Sequence, residues 1–131
     1  MDDLVAFLRA RYDEDAALAT EAEQEATGRW MARETDWNDD TFVEDSDGSQ
    51  ILPTVRTRGV TQYQHIARHD PARVLAEVEA KRQITDEHVT RDWKLGDRLH
   101  DCQWTKWPCR TLRLLALPYA DHDDYREEWR P

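Results

Sequence analysis

The stretch HIARHDPARVLAEVEAKRQI, His65 to Ile84, decides the fold, because every local signal in it agrees on one long helix with a defined start. Asp70 followed by Pro71 is a helix opening. Proline fixes φ at a helical value and has no N–H to lose at the first position, while the Asp carboxylate accepts from the free amides. Asp70 is therefore the expected N-cap. Val74, Leu75 and Val78 then fall on one face, flanked by Pro71 and the aliphatic stem of Arg82, and Glu77 to Lys81 is an i,i+4 pair in the favourable order. Ile84 and Ala80 lie off this stripe, so the helix is either contacted on two sides or bent near Thr85.

Upstream of the cap, Thr61–His69 reads as a short helix that stops because the residue before Pro71 is disfavoured in α geometry, which makes a helical elbow. Further back, Gly28 to Gly59 has the chemistry of strands and turns. Arg29–Arg33, Thr41–Glu44 and Gln50–Val55 are two or three short antiparallel strands, and Asp45-Ser46-Asp47-Gly48-Ser49 is a hairpin connection. At the start, Asp2 and Asp3 precede Leu4, Val5, Phe7, Leu8 and Tyr12, an amphipathic helix with first-turn acids. A heptad-like seam continues through Ala19, Ala22 and Ala26 until Gly28 stops it. Intramolecular packing is the default for this seam and a paired coiled coil the alternative.

Downstream, Asp86 to Gln103 is polar and reads as an ordered loop or a frayed helical turn. Pro108 opens the most apolar run, Cys109 to Leu117, which Pro118 closes, and Asp121 is placed to cap a last helix with Tyr125 and Trp129 at i,i+4. The expectation is one α+β domain over residues 1–131: a long N-terminal helix (1–27), a small antiparallel sheet (28–59) and a helical C-terminal half (60–131). Its core joins Leu4, Phe7 and Leu8 to Val74, Leu75 and Val78 and to Leu112, Leu115 and Leu117.

The 131 residues are 39% hydrophobic and 35% charged, with a mean hydropathy of −0.94, which predicts a thin core. No run approaches a membrane span, and the acidic beginning MDDLVAFLRA differs from the basic start of a signal peptide, so a cytoplasmic setting is expected. The net charge of −10 is concentrated in residues 1–50, which hold fifteen acids against four bases; the remainder holds thirteen against fourteen. That asymmetry argues against direct nucleic-acid binding over the whole surface and favours a basic protein partner or mimicry of a nucleic acid, with a merely solubilising face as the plain alternative. Asp36, Asp39, Asp40, Glu44, Asp45 and Asp47 form the densest acidic surface and are the candidate interaction residues.

Motifs for chemistry are weak. Asp45 to Ser49 could pass for a calcium loop, but the ligand positions on either side are Val43 and Thr54, which excludes an EF-hand. His65 and His69 have the i,i+4 spacing of a metal pair, yet Ile66 stands where a zinc protease needs its glutamate. His100, Cys102 and Cys109, with His88 or His65 as a fourth ligand, make a loose zinc candidate of poor spacing. Glu79 and Lys81 with Asp70 mimic a nuclease core. That constellation works on a strand, whereas on a helix i and i+2 diverge by about 200°. With four glycines there is no phosphate loop. The leading expectation is a non-enzymatic interaction or regulatory protein, with a zinc-stabilised binding domain second and an enzyme third.

At HIARHDPARVLAEVEAKRQI, WPCRTLRLLALPYADH and DYREEWRP the chain resembles an uncharacterised family of small actinobacterial and actinophage proteins, a domain of unknown function. The resemblance implies an association with phage or mobile elements and supplies no catalytic residues. It also implies an extra cysteine pair before the Trp-Pro-Cys segment, as in a zinc knuckle. Here RLHDCQWTKWPC carries one such cysteine, which implies a degraded metal site.

Overall fold

The computed structural model describes residues 3–89 and 108–131. In chain order the elements are helix α1 (Asp3–Glu25), strands β1 (Met31–Glu34), β2 (Thr41–Glu44) and β3 (Gln50–Val55), and helices α2 (Thr61–Arg68), α3 (Pro71–Val89) and α4 (Arg110–Ala116). Two 3-10 turns follow, Leu117–Tyr119 and Glu127–Trp129. The class is α+β, as the pattern of elements predicts. Among the described residues no helix is long and apolar enough to cross a membrane. The chain forms two compact units, one of Asp15–Glu77 and one of Met1–Glu14 with Val78–Pro131.

The unit of Asp15–Glu77 is built on a three-stranded antiparallel sheet in the order β1-β2-β3. Met31 to Glu34 pairs with Glu44 to Thr41 in regular register, whereas β2 and β3 pair with shifts on either side of Val43. Pro53 explains the placement of β3: lacking an N–H, it is tolerated at an edge or a bulge, and β3 supplies both. In the central strand Thr41 and Val43 are buried while Phe42 and Glu44 are half-buried, the period of two that a sheet with one covered face requires. Helix α2 packs on β1 and β2 with Ala67 buried, and the Tyr63 hydroxyl donates to the Pro53 carbonyl at 2.7 Å.

The elbow is closed as expected. The His69 N–H donates to the His65 and Ile66 carbonyls, ending α2, and Asp70 caps α3 by accepting from the Arg73 N–H at 3.0 Å. Asp70 is fully buried. Its second oxygen accepts from the Trp30 N–H at 3.3 Å and pairs with Arg29 Nε at 2.9 Å, so one carboxylate ties the helix start to the entry of the sheet.

In the other unit the buried apolar side chains are Leu4, Val5, Phe7, Leu8 and Tyr12 of α1, Val78 of α3, and Cys109, Leu112, Ala116 and Trp129. The Phe7 ring stands 6.4 Å from Tyr119 and 5.1 Å from Trp129, so aromatic side chains supply much of this thin core. Tyr12 and Thr85, both fully buried, share a hydrogen bond of 3.3 Å. Burial pushes the Tyr12 phenol above its ordinary 10.0, with the Thr85 hydrogen bond opposing.

Several expectations are corrected. Helix α3 continues through residues 86–89, the start of the stretch read as a loop or a frayed helical turn. Thr85 is buried within α3, where its hydroxyl donates to the Lys81 carbonyl at 2.9 Å. Ile84 is 36% exposed. In the expected core Leu117 is 40% exposed and Val74, Leu75 and Leu115 are half-buried. For Leu117 the cause is helical geometry: it keeps helical dihedrals and follows Ala116 by one residue, so it stands about 100° round from the face that buries Leu112 and Ala116. Asp121 opens no α-helix. The segment closes through i,i+3 turns at His122 and Tyr125, and the His122 ring takes the Asp124 N–H at 3.1 Å, the amide that a capping Asp121 side chain would accept. Tyr125 and Trp129 still meet edge to face at 5.8 Å.

Candidate interaction surface

The acidic residues singled out in the sequence sit on the two hairpin loops of the sheet unit and at the strand end beside them, and the structure gives them different tasks. In the β2–β3 loop Asp45 is buried and accepts three main-chain N–H groups: Thr27 at 3.1 Å, Asp47 at 3.0 Å and Ser49 at 2.9 Å. Its carboxylate is used up in closing the loop. Gly48 takes φ +79°, as the hairpin reading requires. Asp47 is exposed and accepts from the Thr27 hydroxyl at 2.7 Å. Glu44, half-buried on β2, pairs with Arg33 of β1 at 2.7 Å.

The β1–β2 loop latches itself. The Thr35 N–H donates to the Asp40 carbonyl at 3.0 Å, the Asp40 N–H to the Thr35 hydroxyl at 3.2 Å, and the Asn38 amide to the Asp40 carboxylate at 2.7 Å. Asp39 adopts a left-handed φ of +56°, a region Asp tolerates better than most residues, and pairs with Arg58. Asp36 is exposed and has no partner among the described residues.

These contacts sort the six acids by the charge they leave for a partner. Glu44 and Asp39 face cations of their own unit, and the Asp45 charge is enclosed by amides. Asp36 and Asp47 keep theirs in solvent, while Asp40 is half-buried, one carboxylate oxygen enclosed without a partner and the other accepting from Asn38. Beside them stands the residue the sequence reading passed over. Trp37 is 85% exposed, held outward by a loop whose main chain is fixed by Thr35, Asn38 and Asp40. Its signal lies in TDWNDD, residues 35–40: a tryptophan with no apolar residue at a helical or strand spacing within the loop has nothing to pack on.

For the zinc candidate, His100 and Cys102 lie outside the described residues. Cys109 is a buried thiol just before α4. The His65 and His69 rings are exposed, with centroids 4.3 Å apart, and His69 Nδ1 donates to the His65 carbonyl at 2.9 Å. Among the described residues no group of three or more His, Cys, Asp or Glu side chains is arranged to hold a metal ion.

No match to the chain is found among curated proteins or solved structures. A family model does match, and it spans the loops, the elbow and the C-terminal segment alike: over residues 1–131 the chain belongs to the family of unknown function DUF6221.

Proposed function

We propose that this chain acts without catalysis, as a small acidic interaction or regulatory protein that meets a basic protein partner through the β1–β2 loop. The observation that carries the reading is Trp37, 85% exposed beside Asp36 and Asp40. An indole left in water on an internally latched loop has the character of an interface anchor: large, rigid and cheap to order on binding. The surrounding carboxylates add long-range attraction, which raises the association rate and is screened over about 8 Å at physiological salt. The charge of −10 opposes direct contact with nucleic acid. A cytoplasmic setting goes with the same reading, and an origin among actinobacterial or phage-encoded proteins rests on the resemblance of three long phrases of sequence.

The test compares partners recovered by pull-down and mass spectrometry with the parent and with Trp37→Ala. A partner held through the loop binds the variant about thirtyfold more weakly, the loss typical of a buried aromatic anchor. Replacing Asp36, Asp39 and Asp40 together by Asn slows association and flattens its salt dependence while leaving the fold intact, since Asn keeps an acceptor at position 40 and tolerates the backbone at 39. If both variants bind every recovered partner at the parental rate in low and high salt, the acidic loop serves solubility alone. The contact surface then lies elsewhere, with Trp93, Trp104 and Trp107, outside the described residues, next in line.

A further inference from the structure

Two residues four apart on a helix share a face, with Cβ atoms about 5 to 6 Å apart. At the end of α2 that pair is His65, in the last turn, and His69, the C-cap. Both side chains are exposed, so an ion from solvent reaches them without disturbing the core. Their rings lie together, with centroids 4.3 Å apart and planes inclined by 36°. Two imidazoles held on one ion through nitrogen at about 2.0 to 2.1 Å have ring centres roughly 4.5 to 5 Å apart. The pair already stands close to that separation.

The hydrogen bonding also leaves a nitrogen free. His69 Nδ1 lies 2.9 Å from the His65 carbonyl. A carbonyl only accepts, so in the neutral ring Nδ1 carries the proton and Nε2 the lone pair. Metal-bound histidines almost always donate in this way through their other nitrogen, because the hydrogen bond fixes the tautomer, orients the ring and raises the basicity of the ligating atom. The last carbonyls of α2 add the negative end of the helix dipole, which favours a cation. Arg68 is the one charged side chain of α2 and opposes that cation, but it is exposed, where water and salt screen it.

The donor set selects the metal. Imidazole nitrogens suit copper, nickel and zinc, and α2 has no carboxylate to offer the oxygen-seeking magnesium or calcium ion. Ile66 stands where a hydrolytic zinc site carries its glutamate, so the pair binds without catalysing. We propose that His65 and His69 chelate one divalent transition-metal ion through His69 Nε2 and a ring nitrogen of His65, with water in the remaining positions. This site is independent of the Trp37 loop and of the zinc candidate at His100, Cys102 and Cys109.

The test is an NMR titration of the nitrogen-15-labelled full chain with zinc, copper(II) and magnesium chlorides. Zinc shifts the ring nitrogens of His65 and His69 together and saturably, while the His69 Nδ1 proton stays in place. Copper(II) broadens the main-chain amides of residues 62–70 and displaces zinc, since it binds such donors more tightly, and magnesium does neither. His65→Gln and His69→Gln each weaken copper binding here by about tenfold or more, because losing even an outer partner of a ligand costs about 10- to 100-fold. His65→Gln leaves the main-chain cap at His69 intact, so its metal-free melt stays parental and the loss is one of binding alone. Zinc shifts confined to one ring, parental copper affinity in either variant, or an equal response to magnesium each overturns the assignment.

Discussion

Asp70 shows how much one side chain can be asked to do. The Asp-Pro pair marked it as a helix cap, and the cap is present at 3.0 Å from the Arg73 N–H. Its other two contacts, to the Trp30 N–H and the Arg29 side chain, come from 40 residues away and have no local signature in the sequence. Asp70→Ala therefore loses a cap, about 0.5 to 2 kcal/mol, and strands a partly buried amide, about 1 to 3 kcal/mol. A loss of about 2 to 4 kcal/mol in urea unfolding is expected, with Asp70→Asn in between because its amide oxygen keeps one acceptor. A loss below about 0.5 kcal/mol would mean that the buried carboxylate is dispensable. The same contrast holds across the acidic cluster. Composition located it, but only coordinates separate Asp45, spent on three amides, from Asp36, which faces solvent.

At the scale of elements, the short-range signals were legible and the long-range ones were not. The starts and ends of β2 and β3 and the opening of α3 followed from turn residues and from Asp-Pro, whose effects act within a few residues. The last helix failed because the His122 ring competes for the Asp124 N–H, an arrangement that helix propensity does not register. The junction between α1 and β1 joins both kinds of signal. Gly28 was expected as a helix stop, and it takes φ +69°; what the sequence could not show is that a Cβ there would lie 2.3 Å from the Ser46 hydroxyl oxygen, which accepts from the Arg29 N–H at 2.7 Å. Gly28→Ala thus meets two penalties, a left-handed backbone at about 1 to 2 kcal/mol and a steric clash. In a double-mutant cycle with Ser46→Gly, the clash disappears and the backbone penalty stays, so the two substitutions couple by about 1 kcal/mol or more. Strict additivity in thermal or urea melts would show that the loop yields without cost.

For the molecule as a whole, the burial of Tyr12 links stability to alkali. Its phenol titrates above 10.0 in the folded chain because burial disfavours the phenolate, so the folded state holds the proton more tightly than the unfolded one. The resulting stabilisation is complete below the unfolded value of about 10 and is lost as pH rises through the higher folded value. Melting temperature should fall over that window, and the fall should be shallower in Tyr12→Phe, which has no proton to release. Identical slopes for parent and variant would place the alkaline loss in other groups. A chain already at −10 also gains self-repulsion as its lysines discharge, and added salt should recover that part while leaving the Tyr12 part in place.

The outward Trp37 makes the acidic loop optically readable. An indole that is 85% exposed emits from fully relaxed solvent, and collisional quenchers reach it in proportion to their local concentration. The carboxylates of Asp36 and Asp40 enrich caesium and deplete iodide around it, while neutral acrylamide is unaffected. The ratio of caesium to iodide quenching, taken as the difference between the parent and Trp37→Phe, is thus a voltmeter for this loop, and a basic molecule settling on it would be seen to reverse the sign of the reading.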